Sequence, residues 1–159
     1  ALVGAAAAAH AYADELRRGL DAIADAAAKL PRRPRVYFEE WDEPRISGIQ
    51  WVAELVRLAG GDDIFPELAA QSLARHRILA NDDEIIARAP DIVFGSWCGK
   101  KFQPTKVAAR PGWDNVPAVR TGDLHEIKSP LILQPGPAAL TDGVAQMHRI
   151  VSAWMLEHG

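Results

Sequence analysis

From residue 34 onward the chain alternates between short runs suited to β-strands and longer stretches with helical spacing, and Pro, Gly or a capping residue marks each switch. Arg35-Val36-Tyr37-Phe38-Glu39 predicts a strand, because β-branched and aromatic side chains pack well on a pleated surface. Ser47 with Gln50 has the pattern of a capping box ahead of Ile49, Trp51, Val52, Leu55, Val56 and Leu58, and Gly60-Gly61 ends that helix. Asn81 with Glu84 repeats the pattern for a helix over Asp82 to Arg88; Pro90 closes it, and Asp91-Ile92-Val93-Phe94-Gly95 predicts a buried strand. A weaker helix is expected from Pro104 to Arg110, followed by strands at Ala118-Val119-Arg120 and Leu124-His125-Glu126-Ile127. The last helix should start near Pro137, a good first helical residue, and run to about Glu157. Its buried side is Val144, Met147, His148, Val151, Trp154 and Met155. Strands separated by helices imply parallel pairing with crossovers, so the expected fold is a three-layer α/β lobe. Its mainly parallel sheet is flanked by helices.

Ahead of that lobe, residues 1–30 form a compositional block of their own. Of 28 alanines in the chain, 13 fall in the first 28 residues, and no Pro occurs before Pro31. Alanine is the best helix former, so this block predicts one long helix, ended by Pro31 and Pro34. Leu16, Leu20, Ile23, Ala27 and Leu30 supply a modest apolar stripe, and Asp14, Glu15, Arg17, Arg18, Asp21 and Asp25 the rest of the surface. A helix this long in front of one lobe reads as a connecting strut. No basic segment precedes a Leu-rich core, so the block does not read as a secretory signal. Its Ala-Leu-Val start carries the expectation that something precedes it. The predicted organisation is a strut at 1–30 and one α/β lobe at 31–159.

Composition removes several function classes. With 48% hydrophobic residues the chain is too apolar for a disordered protein, and no run of about 18 apolar residues offers a membrane span. A net charge of −3 argues against nucleic-acid binding, which draws on clustered Lys and Arg. Cys98 is the single cysteine, so neither an intrachain disulfide nor a CxxC zinc site is available. The five histidines form no HxH or HExxH pattern, and neither GxxxxGK[ST] nor GxGxxG is present. No metal site is expected.

In open α/β sheets ligands bind beyond the carboxyl ends of the strands. Here those ends are Glu40-Trp41-Asp42-Glu43-Pro44-Arg45, Ser96-Trp97-Cys98-Gly99-Lys100-Lys101, Arg120-Thr121 and Lys128-Ser129-Pro130. Trp41 and Trp97 therefore sit on one predicted rim, where flat rings would supply contact area. Glu40, Arg45, Cys98, Lys101 and Ser129 are the candidate polar contacts. The carboxylates Glu39, Glu40, Asp42 and Glu43 have no spacing that favours acid–base chemistry or a metal, and read as a solvated acidic loop.

Three stretches, taken in order, resemble the C-terminal half of a class III periplasmic substrate-binding protein, the family that feeds vitamin B12 and iron siderophores to ABC importers. They are Leu55-Val56-Arg57-Leu58-Ala59-Gly60-Gly61-Asp62-Asp63-Ile64-Phe65, Asp83-Glu84-Ile85-Ile86-Ala87-Arg88-Ala89-Pro90-Asp91-Ile92-Val93, and Val116-Pro117-Ala118-Val119-Arg120-Thr121-Gly122-Asp123-Leu124-His125-Glu126-Ile127. Pro135-Gly136-Pro137 before the last helix also fits. Glu40-Trp41 and Ser96-Trp97-Cys98-Gly99-Lys100 are similar to the cobalamin-binding branch in particular. The resemblance implies two lobes joined by the strut, a ligand in the cleft between them, an extracytoplasmic location with a lipid-anchored parent, and docking onto a permease through one carboxylate per lobe. The matching position is Asp83, where the family has Glu, so Asp82 and Glu84 are neighbouring candidates. The resemblance also implies a missing N-terminal lobe and no catalysis. Cobalamin or a related corrinoid is the expected transported ligand, not a covalently bound cofactor, with an iron siderophore or haem as the alternative.

Two other classes compete. Cys98 beside Lys100 and Lys101, with His125 as base, would make a thiol-dependent α/β enzyme. The Ala-rich helix could instead mediate self-association through its exposed face.

Overall fold

The computed structural model describes residues 4–159. The long helix expected from the Ala-rich block is α1, Ala6–Ala27, 22 residues and so about 33 Å long. Residues 1–3, at its expected beginning, lie outside the described residues. Leu20, Ile23 and Leu30 are partly buried against the lobe and Ala27 is buried, so one stripe docks while Tyr12 stays 48% exposed.

The lobe is built on a five-stranded sheet. β1 (Arg35–Asp42) is central, with β4 (Ile92–Gly95) and then β5 (Leu124–Glu126) on one side, all parallel. Its other edge is shared: β3 (Asp62–Asp63) pairs in parallel with its start, and β2 (Arg45–Ser47) pairs antiparallel with its end. Strand alternation sends Val36, Phe38, Ile92 and Phe94 to one face and Tyr37 and Val93 to the other. The first face packs on α1, α2 (Gln50–Leu58) and α8 (Val144–His158) through Val52, Val56, Val144, Met147 and Val151. The second carries α3 (Pro66–Ala69), α4 (Asp83–Arg88), α5 (Pro104–Ala108) and α6 (Pro117–Thr121), with Phe65, Ile85, Val107 and Trp113 at its centre. A short α7 (Ser129–Ile132) follows β5. The layers are those expected from the strand–helix alternation.

Local expectations fared unevenly. Ala118-Val119-Arg120, expected as a strand, lies in helix α6. Pro117 opens it and Gly122 ends it in a left-handed turn at φ 83°, so backbone punctuation outweighed the β-branched valine. The Ser47 capping box is also not formed. Ser47 belongs to β2, where its N–H donates to the Arg77 carbonyl at 3.1 Å, and Gln50 instead donates to Glu54. Asn81 does serve its turn, Oδ1 accepting the Asp83 N–H at 3.0 Å, but Glu84 turns to Arg88. The final helix begins at Pro137 as expected, passes through a π-helical turn at Ala139–Gly143 and continues as α8. In it Val144, Met147, Val151, Trp154 and Met155 are buried, while His148 is half-buried with Nδ1 2.9 Å from the Ala59 carbonyl.

Candidate functional site

The ends of β1, β4 and β5 bring the turn 43–44 and the loops 96–101 and 127–130 to one edge of the sheet, and Glu40, Trp41 and Arg45, expected in a loop, belong to β1 and β2. Close approach sets the shape of the middle loop. A Cβ on Gly95 would lie 1.9 Å from Phe102 Cδ2, so only glycine lets the Phe102 ring lie across the end of β4. That ring meets Trp97 edge-on at 5.0 Å, and the Phe102 N–H donates to Glu126 Oε1 at 3.1 Å. The loop is thereby tied to both neighbouring strands.

Beneath the edge lies a buried charged hub. Glu39, wholly buried, accepts two bonds from Arg110, at 2.7 and 2.8 Å, and one from Trp97 Nε1 at 3.0 Å. Tyr37 OH donates to the same carboxylate at 3.2 Å. Burial draws the Arg110 guanidinium down, but its bonds to Glu39 prevail and hold it above the usual arginine value. Burial also drives the Tyr37 phenol well above its ordinary value, with the Glu39 charge adding to the effect.

The other carboxylates of the predicted acidic loop are paired as well, which corrects that expectation. Asp42, 1% exposed, faces Lys100 at 2.5 Å and Lys106 at 3.0 Å. Burial would raise its pKa, but bonds from these two ammonium groups outweigh burial and lower it. Glu40 binds the buried Arg77 at 2.6 Å, and Glu43 binds Lys106 at 3.1 Å. Each carboxylate has found a base, so the segment is not a solvated run of charge.

The predicted site residues separate into those facing the edge and those committed elsewhere. Trp41 is half-buried on the edge, its Nε1 donating to the Glu43 carbonyl at 2.8 Å. Trp97 is 3% exposed and belongs to the core, though it forms the floor of a cleft of about 500 Å³. Lys101 and Ser129 line that cleft, and Cys98 is exposed beside it. Glu40 is held by Arg77, and Arg45 Nε lies 2.5 Å from Asp82 Oδ1. Asp82 also accepts the Trp113 indole N–H at 2.8 Å, so it is engaged within the lobe, while Asp83 and Glu84 are exposed. His125 faces Asp123 at 3.4 Å, and no hydrogen bond joins it to Cys98.

Lys100 and Lys128 escaped selection from the sequence. Lys100 Nζ lies 4.6 Å from the Trp41 ring centre and 5.2 Å from that of Trp97, so it covers both indoles. Lys128 shares the cleft. Their place in rim loops was the available signal. A larger cavity, of about 570 Å³, lies by α2 and β3, at the amino end of the parallel strands, lined by Glu54, Arg57, Asp62 and Asp63 among others.

The family model described as periplasmic binding protein matches residues 1–131. The chain belongs to the periplasmic binding protein family. No curated protein matches it significantly. Among solved structures, an ABC transporter substrate-binding protein from Listeria monocytogenes superposes with TM-score 0.71 at 17% identity, over 88% of this chain and 55% of that one. The vitamin B12 binding protein BtuF of Vibrio cholerae gives 0.65 at 19%, over 87% and 51%. The haem-binding protein RhuT of Roseiflexus gives 0.72 at 18%, over 94% and 59%. The chain thus spans between half and three-fifths of these three structures. The family is one of binding proteins rather than enzymes, and its members work outside the cytoplasm. Among the described residues of this periplasmic binding protein, no helix is long and apolar enough to cross a membrane.

Proposed function

We propose that this chain is the C-terminal lobe and interlobe helix of an ABC importer's substrate-binding protein. Residues 1–30 serve as the strut and residues 31–159 as one wall of the ligand cleft. The observation that carries this reading is the convergence of three strand-end loops on Trp41, Lys100 and the Trp97 floor, at the edge where α/β sheets bind ligands. The ligand is a large ring or chelate. A corrinoid is the first reading, supported by the resemblance of the Glu40-Trp41 and Ser96–Lys100 segments to the cobalamin-binding branch. A haem or ferric siderophore is the second, favoured by the lysines in the cleft.

Asp83, with Glu84, is the docking carboxylate for the permease, since both are exposed while Asp82 is bound to Arg45 and Trp113. The parent works outside the cytoplasm, held by a lipid anchor.

Calorimetric titration with cyanocobalamin, haemin and a ferric hydroxamate tests the ligand reading. Heat with at least one, saturating at one ligand per chain, is expected. One wall gives about half the contact area of a closed cleft, so binding should be weaker than for a two-lobed protein. Silence towards all three at high concentration would remove the ring-or-chelate reading and leave the fold standing.

A further inference from the structure

The cavity of about 570 Å³ stands at the amino ends of the parallel strands, away from the strand-end loops, and its volume suits a small molecule. Its apolar wall is Ala53 of α2 with Pro66, Ala69 and Ala70 around α3. Four charged residues complete it, and three of them are compensated. Asp62 lies 2.9 Å from Arg33 Nε. Glu54 and Arg57, both exposed, stand three positions apart on α2 and offset one another on the helix surface. Asp63 is left over.

Asp63 is fixed in place. The Asp62 N–H donates to the Pro34 carbonyl at 2.9 Å and the Ile64 N–H to that of Val36 at 3.0 Å, which pins the chain on both sides of it. Its Oδ1 accepts the Phe65 N–H at 2.8 Å, while among the described residues nothing donates to Oδ2 and Asp63 has no ion-pair partner. The arginines around it are engaged: Arg33 by Asp62, Arg35 by Asp91 at 3.3 Å and Arg88 by Glu67 at 2.6 Å. Burial, reinforced by the Glu67 charge, raises its pKa to about 6. At neutral pH the group is still mostly ionised, so this wall of the cavity carries a partly desolvated negative charge with no counter-charge of its own.

We propose that this cavity is a second ligand site, for a small primary alkylamine, whose ammonium seats on Asp63 and whose hydrocarbon body lies on Ala53, Pro66, Ala69 and Ala70. An ammonium supplies the missing counter-charge, an acid is repelled by Asp63, and a neutral alcohol leaves the charge unmet. The site is separate from the strand-end cleft and stands whichever ligand that cleft takes. Seating an ammonium requires ionised Asp63, whereas the alkylammonium keeps its charge throughout the acid range. Affinity should therefore fall about tenfold between pH 7 and pH 5, as Asp63 takes up its proton.

The test titrates the chain with pentylamine, pentanol and pentanoate, and with Nα-acetyl-lysine amide, which carries the same ammonium on a peptide backbone. The methyl resonances of Ala53, Ala69 and Ala70 and the carboxyl carbon of Asp63 report binding. Saturable shifts with pentylamine are expected, with a lowered Asp63 pKa in the complex and the tenfold weakening at pH 5. Asp63→Asn, which keeps an acceptor for the Phe65 N–H, should weaken pentylamine about tenfold or more and leave the response to pentanol as it was. Asp25→Asn, which removes an exposed acid from the strut, should bind like the parent. No saturable response to pentylamine, equal affinity for pentanol or pentanoate, or unchanged pentylamine affinity in Asp63→Asn overturns the proposal. Tighter binding of the acetyl-lysine amide than of pentylamine also overturns it, because the site then belongs to a lysine of a protein partner.

Discussion

Glu39 and Arg110 form a two-pronged ion pair, at 2.7 and 2.8 Å, with side chains 0% and 7% exposed. Both charges have left water, so their value lies in mutual compensation, and removing one partner strands the other. Glu39→Gln should therefore destabilise the lobe by about 3–5 kcal/mol in urea unfolding. Glu39→Leu combined with Arg110→Met should recover only part of that loss, because no buried charge remains but the Tyr37 hydroxyl and the Trp97 indole N–H lose their acceptor. A double variant as unstable as the sum of its singles would show that the pair is not the source.

Asp63 gives the lobe a pH dependence. Burial raises its pKa to about 6, opposed by the bond its carboxylate accepts from the Phe65 N–H and by Arg88, and reinforced by Glu67. The folded state thus holds a proton that the unfolded chain, titrating near 3.8, has released. Stability should fall as pH rises from about 4 to about 6 and stay level above, the loss being about 3 kcal/mol. Asp63→Asn keeps an acceptor for Phe65 and removes the charge. It should be more stable than the parent at pH 8 and equal to it at pH 4, by urea midpoints at the two pH values. Equal gains at both would refute the assignment.

Gly95→Ala tests the seat of the 96–101 loop. Its Cβ would fall within 2.0 Å of Phe102 Cδ2 and Cε2, so the ring has to leave the end of β4. A loss of about 1–3 kcal/mol is expected, with altered near-ultraviolet dichroism as Trp97 loses its edge contact. An unchanged aromatic signal would mean that Phe102 does not hold the loop.

Asp82 and Asp83 should behave as opposites despite being adjacent. Asp82→Ala breaks the contacts to Arg45 and the Trp113 indole and should cost about 1–3 kcal/mol. Asp83→Lys touches an exposed side chain and should change stability by under about 1 kcal/mol. It should nonetheless reduce capture of the chain by a reconstituted permease–ATPase complex, measured by co-sedimentation with nanodiscs. Undiminished capture by both Asp83→Lys and Glu84→Lys would move docking elsewhere.

Much of the fold was legible in the residues because it is written locally. The Ala-rich block, the strand at Arg35, the Asn81 turn and the start at Pro137 depend on propensity and punctuation within a few residues. Where local signals conflicted, as at Ala118–Arg120 between β-branched content and the Pro117–Gly122 brackets, choosing the wrong one produced the wrong element. Three of the four rim segments were legible in the same way, since strand ends can be read from strands; the fourth, Arg120-Thr121, belongs to helix α6 and not to a strand end. That Trp41 and Trp97 would share an edge followed from topology alone.

What the sequence determined by itself is the three-layer α/β plan, the long helix before it and the loops that meet at one edge. Which side chains those loops present was decided only in three dimensions. Glu39 finds Arg110 across 71 positions, Trp97 finds Glu39 across 58, and Arg77 finds Glu40 across 37. Such pairings depend on strand order and on how helices settle against the sheet, and neither leaves a mark in local spacing. A carboxylate in a sequence carries the same charge whether it faces water or a guanidinium. Burial decides between them, so four acids that read as one solvated loop became three separate sets of ion pairs.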